Sequence, residues 1–448
     1  MELSQLTPLR QLLSNGLRLL AVPMPHVHRS VFEAQIRIGS RFETAEENGI
    51  SHFLEHMLYR GTPRHPTAHD QALAFETLGG TLQAATAKDF GSLQIAMPPE
   101  RFLDMLPLLS EVFQEPLMSG IEIERGIVHE EILETLDEGG NLIDADDLLG
   151  AVAFPSHPLG RTITGSPEQV QGFDPPRLRR HHQQFYVGQS TTLVAAGPFD
   201  PEQVLRHLEQ LFGSVPRGVR QPVVAPDPQL APAFRFVPHA ASQTCLRVGF
   251  RAPSVLDPRE PATQLLVRVL DDGLSTRLYE HICDRKGLCY DVAACYEAYE
   301  DVGMVDLSAE SANERAAEVL RELFHVVSRL RDEGPSDSEL DKAKQRHRWQ
   351  LQMMLDDPEG VASHFAMSEL GRTELHPAER RDQLAAVTRE QVMQAARELF
   401  QPSGLNVVAV GAHGRRNRAR VRALTLSNTG EVCVAVRCGD ATRDVEPS

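Results

Sequence analysis

The sequence predicts an α+β protein made of two similar halves, and three observations carry this prediction. The chain has 448 residues, more than the roughly 100–200 that one ordinary domain holds. Residues 193–197 and 407–411 are matching apolar runs closed by glycine. Between them, strand and helix signals recur in the order seen in the first half. A period of about 210 residues is too long for a solenoid, so it predicts a duplicated domain with mostly antiparallel strands and flanking helices.

Local signals predict the elements of each half in turn. Asn15-Gly16, between apolar segments, is typical of a two-residue β-hairpin turn. The other clear signals are a strand at 31–38 followed by Gly39 and a helix, a long helix at 99–113, a strand at 245–250 followed by a turn with proline and a helix, and a long helix at 312–331. Helices beside hairpin-type strands favour α+β over a regular parallel winding.

The chain divides at a proline-rich stretch. Five prolines lie within residues 215–232, which favours an extended, semi-rigid linker. The predicted units are a first domain at 1–215, a linker at 216–232, a structurally similar second domain at 233–412 and an accessory tail at 413–448. In the tail, the basic run at 415–420 is interpreted as a solvated surface, and 423–438 as a hairpin.

Composition excludes several classes of protein. The net charge of −17 argues against a nucleic-acid binder, which normally carries a basic face. Neither an apolar run of about 18–20 residues nor a signal-peptide pattern occurs, so a cytoplasmic protein without a membrane span is expected. The six cysteines form no C-x-x-C pair and are expected to be free thiols in a reducing compartment; Cys433 and Cys438 would be the pair to bridge if the chain were exported.

The most informative segment lies at residues 49–58. Its apolar residues recur at helical spacing, and His52 and His56, four positions apart, project from one face of that helix. This spacing can place two imidazole nitrogens about 2.0–2.1 Å from one zinc ion. Glu55 lies beside them, suited to hold a zinc-bound water, and the segment matches the H-x-x-E-H pattern of inverzincins. The alternative is a helix whose histidines cap it or line the core.

A catalytic zinc ion needs a third protein ligand and one open position. The best candidate region is 122–133, where Glu124 and Glu131 are seven residues apart and share a helical face. One of them can ligate zinc while the other hydrogen-bonds a ligand histidine. Rival ligands on spacing grounds are His129, Glu130 and Glu134, and the plain alternative is a solvated acidic helix.

Several segments of the chain resemble the pitrilysin-like zinc peptidases, a family that includes insulysin and the mitochondrial processing peptidase. These segments are 39–43, 52–62, 78–86, 124–132, 157–160, 185–186 and 278–292. The resemblance covers roughly residues 10–412 and implies two α+β domains in one bowl, half of a clamshell. It also implies one zinc ion per chain, held by His52, His56 and Glu131, with Glu124 supporting the ligands. In the family, the zinc-binding glutamate lies about 75 residues after the second histidine, and Glu131 lies 75 residues after His56, so the resemblance selects it over Glu130 and Glu134.

Two positions depart from the family's pattern. The resemblance assigns substrate binding to a strand that includes Gln83, Ala84, Ala85 and Thr86, and Gln83 stands where the family usually has asparagine. In the second half it assigns substrate binding to Tyr290. The arginine that the family often has seven residues before this tyrosine is Cys283 here, and the nearby Arg285 would face another side.

These observations predict a zinc-dependent endopeptidase acting on short or unfolded peptides inside a two-bowl chamber. Glu55 would take a proton from the zinc-bound water and pass it to the leaving amine. An extended peptide would add as a strand beside Thr86 and its neighbours. The alternatives are a catalytically inactive member acting as a scaffold subunit and a peptide-binding module without hydrolysis. The expected partner is a second two-domain chain, with a heterodimer favoured over a homodimer.

Overall fold

The computed structural model describes residues 2–371, 373–412 and 419–424. Its strands are β1 (Leu9–Leu12), β2 (Arg18–Pro23), β3 (Ser30–Ile36), β4 (Gln83–Thr86), β5 (Gly91–Met97), β6 (Thr191–Gly197), β7 (Ala233–Pro238), β8 (Gln243–Ala252), β9 (Asp291–Ala298), β10 (Gly303–Ala312) and β11 (Leu405–Gly411). The α-helices of the first half are α1 (Ile50–Met57), α2 (Ala68–Thr77), α3 (Phe102–Gln114), α4 (Ile121–Glu134), α5 (Ala145–Ala153), α6 (Pro167–Gln171), α7 (Pro175–Phe185) and α8 (Pro201–Phe212). Those of the second half are α9 (Glu260–Leu270), α10 (Ala316–Glu333), α11 (Asp337–Met353), α12 (Pro358–Leu370), α13 (Pro377–Ala386) and α14 (Arg389–Leu399).

The first sheet has the strand order β1-β2-β6-β3-β5-β4 and is antiparallel except where β2 runs parallel to β6. The predicted hairpin at Asn15-Gly16 joins β1 to β2, and Gly16 adopts φ +87°, which glycine tolerates without steric cost. The helix expected directly after Gly39 is instead a short 3₁₀ turn, Ser40–Phe42, because the first α-helix begins only at Ile50.

The second sheet repeats this arrangement. Its strand order is β7-β11-β8-β10-β9, and β7 is parallel to β11 while the other pairs are antiparallel. Strand by strand this matches β2-β6-β3-β5-β4 of the first sheet. The two apolar runs that revealed the repeat are the interior strands β6 and β11, and every residue of both is buried. The predicted duplication is confirmed.

Each sheet is covered on one face by a helix from the other half. Helix α5 lies on the second sheet, where Leu148 and Leu149 pack with Val408 and Val410 of β11. Helix α12 lies on the first sheet, where Phe365 and its apolar neighbours pack against β2, β3 and β6. This exchange explains why β3 and β6 are apolar or buried along their whole length rather than alternating.

Ion pairs and the linker join the two halves. Arg37 Nη1 lies 2.6 Å from Glu300 Oε2, and Arg41 Nη2 lies 2.5 Å from Asp301 Oδ2. The proline-rich segment 216–232 contains no helix or strand, although all of it is described. It is attached beside these ion pairs, since Arg37 Nε donates to the Gln221 carbonyl at 3.0 Å. The linker is therefore hydrogen-bonded to the first half rather than free of contacts with it.

The structure bears on three further features of the sequence, which are the C-terminal tail, the cysteines and the absence of an apolar span. Of the tail, only 419–424 is described, and it is helical, so most of the basic run and of the hairpin predicted at 423–438 lies outside the described residues, with Cys433 and Cys438. In the described part of the chain, Cys245, Cys283, Cys289 and Cys295 are free thiols. A search of the same residues finds no helix with the length and apolarity to cross a membrane.

Candidate active site

The helix α1 is held at its N-terminus by a buried carboxylate. Glu43 accepts hydrogen bonds from the backbone N–H groups of Gly49 and Ser51, each at 2.8 Å. Burial raises the pKa of Glu43, although these hydrogen bonds oppose the rise. Gly49 adopts φ +93°, and a Cβ there would lie 2.4 Å from the Thr164 carbonyl oxygen. Glycine and a capping acid thus set where the helix starts.

Helix α1 buries one face and presents the other. Phe53, Leu54 and Met57 are fully buried in the core of the first half. His52 and His56 share the opposite face, with ring centroids 4.7 Å apart. The side chains of His52 and His56 are 9% and 21% exposed, so both histidines lie at the margin of the core with part of the ring accessible to solvent. This placement favours a ligand-binding role over the alternative of core-lining histidines.

Helix α4 brings a carboxylate to both histidines. Nε2 of His52 lies 3.3 Å from Oε1 of Glu131, and Nε2 of His56 lies 3.4 Å from Oε2. One ligand atom from each of the three residues falls within 4.8 Å of the others. Among the described residues, these three form the group of histidine and acidic side chains that is close enough together to hold a metal ion. Tetrahedral zinc ligands at about 2.05 Å stand about 3.3 Å apart, so the donor set and its spacing fit a zinc ion.

The electrostatics of this cluster favour a cation at its centre. Hydrogen bonds from His52 and His56 hold the pKa of Glu131 well below its usual range. Burial alone would lower the pKa of His56, but its hydrogen bonds to Glu124 and Glu131 outweigh burial and raise it to about 9. Glu131 is 42% exposed, so one side of the cluster is open to solvent. None of the rival ligands at 129, 130 and 134 contributes an atom to this group.

Glu124 lies behind His56. Its Oε2 atom is 3.1 Å from His56 Nδ1, and its Oε1 accepts a hydrogen bond from Arg60 Nε. Burial alone would raise the pKa of Glu124, but the hydrogen bond from His56 and the charge of Arg60 outweigh it and lower the pKa. A buried, ionised carboxylate on the far nitrogen of an imidazole orients that ring toward a metal.

Glu55 points toward the strand β4. Thr86 Oγ1 donates to Glu55 Oε2 at 2.6 Å. Strand β4 is at the edge of the first sheet, where it pairs with β5 alone among the described strands, and its residues Gln83 and Ala85 are exposed. An edge strand offers unpaired main-chain N–H and C=O groups to an incoming peptide. The catalytic candidate and the candidate peptide-binding edge are therefore joined by one hydrogen bond.

Tyr290 is not joined to this cluster by any recorded contact. It directly precedes β9, the strand of the second sheet that corresponds to β4, and it is 92% exposed. Among the described residues, no hydrogen bond, ion pair or ring contact holds its side chain. Arg285 pairs with Glu280 nearby. A role of Tyr290 in substrate binding stays a prediction.

Sequence reasoning missed two residues that support the site. Arg60 lies four positions after His56, beyond the end of α1 at Met57, and its ion pair with Glu124 was not predicted. Glu43 lies six residues before Gly49, and no helical spacing links it to α1. Its role depends on how the chain folds back between these positions, so the sequence carried no local signal for it.

Comparisons with known proteins place the chain in a family. Residues 19–166 match the family model described as Insulinase (Peptidase family M16), and residues 172–346 match the one described as Peptidase M16 inactive domain. An uncharacterized zinc protease of Mycobacterium tuberculosis is 31% identical over 92% of this chain and 94% of its own length. The chain belongs to the M16 family of peptidases. The pitrilysin-like resemblance is thereby confirmed.

Other relatives agree with this assignment. An uncharacterized zinc protease of Bacillus subtilis is 27% identical over 86% of this M16 chain and 94% of its own length. A protease from Helicobacter pylori superposes with a TM-score of 0.84 at 20% identity, covering 90% of this chain and 99% of that one. A Pseudomonas fluorescens structure described as a peptidase M16 inactive domain gives 0.83 at 17% identity, covering 91% and 98%. These two structures show the fold of two mixed α/β domains.

Proposed function

We propose that this M16 family member is a zinc-dependent endopeptidase that hydrolyses peptide bonds in short or unfolded peptides. The observation that carries the proposal is the cluster of His52, His56 and Glu131, in which each histidine Nε2 lies 3.3–3.4 Å from an oxygen of Glu131 and one ligand atom of each residue lies within 4.8 Å of the others. All three residues, and Glu55, lie within 19–166, the part that matches the peptidase family model rather than the inactive-domain model.

The chain's own groups have defined tasks in this proposal. A zinc ion bound by the cluster would lower the pKa of a water toward about 7 and polarise the scissile carbonyl. Glu55 is placed to accept a proton from an attacking water and to pass it to the leaving amine, while Thr86 holds the carboxylate of Glu55 in place. The peptide adds as a strand to the free edge of β4, so main-chain groups of Gln83, Ala84 and Ala85 bind it with little side-chain selectivity.

The direct test combines metal analysis with peptide turnover. The purified chain is expected to hold one zinc per chain and to cleave an unfolded peptide. A chelator should abolish cleavage, and added zinc should restore it. Full zinc occupancy with bound but uncleaved peptide would instead support a peptide-binding or scaffold subunit, the reading favoured by the inactive-domain match at 172–346.

We further propose that the chain works with a second two-domain chain that closes the chamber, and that a related but different chain is favoured over a second copy. The proposal rests on Cys283 standing where the family often has an arginine, so that a donor to the substrate is missing from this chain. Size in solution, alone and with a related chain, tests it: full activity from a strict monomer would contradict it.

The proposed location is the cytoplasm. The free thiols of Cys245, Cys283, Cys289 and Cys295 support a reducing compartment. Cell fractionation with an antibody tests this location, and recovery in an exported fraction would contradict it.

A further inference from the structure

Two cysteines of the second half lie side by side. Cys283 belongs to a π-helical segment, Tyr279–Asp284, and Cys289 follows six residues later, directly before Tyr290. Their Sγ atoms are 3.6 Å apart, and both thiols pack against the core of the second half. Single π-helical turns within a helical region are frequent at functional sites.

The turn between the two cysteines keeps the sulfurs together. Gly287 N–H donates to the Cys283 carbonyl at 3.0 Å, and Leu288 N–H donates to the Ile282 carbonyl at 3.1 Å. Gly287 adopts φ +58°, which allows the chain to reverse within five residues. A disulfide needs an S–S distance of about 2.05 Å, so the sulfurs must approach by about 1.5 Å, a movement within reach of side-chain rotation.

We propose that Cys283 and Cys289 are a redox modification site, a reversible disulfide that ties the π-helical segment to the residue before Tyr290. Nothing in the proposed zinc chemistry uses these thiols. The other described cysteines lack such a neighbour: Cys245 donates to Glu310 at 3.2 Å, and Cys295 is exposed on β9 opposite Asp306.

The oxidant in this proposal is a low-molecular-weight disulfide such as oxidised glutathione. The thiolate of one of the two cysteines, its proton released to solvent, attacks one sulfur of the oxidant, whose S–S bond breaks and releases one thiolate. The thiolate of the other cysteine, its proton also released to solvent, then attacks the protein sulfur of the mixed disulfide and releases the second. Two cysteine thiols and one disulfide thus become one protein disulfide and two small thiols, and the two electrons pass to the oxidant.

The environment of the two thiols slows their oxidation. Burial raises the pKa of Cys289 to about 12. Burial also raises the pKa of Cys283. Either thiol can be the first nucleophile, and the other then resolves the mixed disulfide. With both thiols poorly ionised near neutral pH, oxidation is expected to be slow.

Closing the bond would act on the neighbouring tyrosine. Tyr290 follows Cys289 directly, and its side chain is 92% exposed. The crosslink fixes the backbone that carries this side chain and the start of the edge strand β9. We expect oxidation to change peptide affinity at least about threefold, a consequence that rests on the proposed function and on Tyr290 contacting the peptide.

The experiment equilibrates the folded, zinc-loaded protein with reduced and oxidised glutathione, quenches with acid, alkylates the remaining thiols and maps peptides by mass. The expected result is one crosslinked species joining the peptides of Cys283 and Cys289, reversed by dithiothreitol and absent from Cys283→Ser and Cys289→Ser. Cys295→Ser is the matched control and should form the crosslink normally. Alkylation of Cys283 and Cys289 to the same extent as Cys295, at every glutathione ratio, would overturn the proposal.

Peptide affinity is measured separately, by fluorescence anisotropy of a labelled peptide on Glu55→Gln protein, so that the probe stays intact. A crosslink that leaves affinity unchanged would overturn the proposed consequence for Tyr290. Absence of peptide binding in both redox states would count against the proposed function, while the peptide map would still decide whether the disulfide forms.

Discussion

The Nδ1 atom of His56 is 3.1 Å from Oε2 of Glu124, and the same carboxylate accepts a hydrogen bond from Arg60 through its other oxygen. When the imidazole is neutral, as a metal ligand must be, an ionised carboxylate on Nδ1 fixes the proton there and leaves the lone pair on Nε2. That second nitrogen is the one 3.4 Å from Glu131. Glu124 therefore determines which nitrogen of His56 is directed toward Glu131 and is free to bind a metal.

Replacing Glu124 by glutamine is expected to weaken zinc binding about 10–100-fold without abolishing it. The amide lacks the negative charge that pairs with Arg60, and it can no longer hold the His56 tautomer by a charge-assisted hydrogen bond. Competitive titration with a chromophoric chelator measures the change. The matched control is Glu122→Gln on the same helix, where the side chain is 78% exposed, and its affinity should equal that of the wild type. Equal affinity in both variants would remove Glu124 from metal binding.

Replacing Glu131 by glutamine is expected to remove most of the zinc affinity, because a neutral amide is a poor ligand and the two histidines alone leave the coordination incomplete. Glu130→Gln and Glu134→Gln change exposed carboxylates on the same helix and should keep full metal content. Metal analysis after dialysis distinguishes the three. A Glu131→Gln protein with full zinc, beside a control that has lost it, would show that the ligand assignment is wrong.

Replacing Glu55 by glutamine is expected to keep zinc and fold but to lower peptide turnover by about 10²–10⁴-fold, the range for loss of a general base. Thr86→Val removes the hydroxyl that donates to Glu55 at 2.6 Å and should cost less, about tenfold, because one hydrogen bond is lost. Steady-state kinetics at matched zinc content measure both. Glu46→Gln, an exposed change outside the helix, is the control. Near-normal turnover of Glu55→Gln would contradict its proposed role.

The parts of the fold that sequence reasoning predicted are those with a local cause. The Asn15-Gly16 turn needs only two residues, and the interior strands β6 and β11 are recognisable in the sequence as largely apolar runs. The spacing that puts His52 and His56 on one helical face is equally local. These features were sufficient for the fold class and for the two histidines of the candidate site, whereas Glu131 was selected among the rival ligands only by the resemblance.

The parts that were missed depend on contacts distant in sequence. The sequence of α5 has an apolar face, whereas that of α12 is nearly uniform around the helix axis, and neither pattern shows that each helix covers the sheet of the other half. The buried pair of Arg41 and Asp301 joins residues 260 positions apart. Tyr290 was assigned by resemblance alone, and its exposed side chain leaves that assignment a prediction.

A pH effect on stability is expected from Asp89, near the ion pairs that join the halves. Burial raises the pKa of Asp89 to about 6, although Arg41 and Arg37 oppose the rise. The folded state therefore holds this proton more tightly than the unfolded state, whose carboxyl has a pKa of about 4. The free energy of unfolding contributed by Asp89 is thus present below about pH 4 and falls as pH rises to about 6.

Asp89→Asn removes this fall, so the variant should gain about 2 kcal/mol on the wild type between pH 4 and pH 7. Urea unfolding at several pH values gives the difference. Asp306, whose pKa burial also raises to about 6, stays in both proteins and cancels in the comparison. Asp104→Asn, exposed at 59%, should show no such gain. A difference between wild type and Asp89→Asn that does not vary with pH would contradict this account.

Helices α5 and α12 each pack on the sheet of the other half, and this exchange should make the two halves unfold together. Leu149 of α5 is 1% exposed, and a Cβ built on Gly249 of β8 would lie 2.9 Å from its Cδ1, so the helix lies directly on the backbone of the second sheet. Phe365 of α12 is fully buried on the first sheet. Leu149→Ala is expected to cost about 2–5 kcal/mol and Phe365→Ala about 3–5 kcal/mol, from lost burial and the cavity left behind.

Because each helix belongs to one half and covers the sheet of the other, either substitution should shift a single unfolding transition of the whole chain. Calorimetry gives the number of transitions, and circular dichroism in urea gives the change in free energy. Leu274→Ala, at a side chain 72% exposed, is the control and should stay within about 0.5 kcal/mol of the wild type. Two separate transitions, of which each substitution shifts only one, would show that the halves are stable without the exchange.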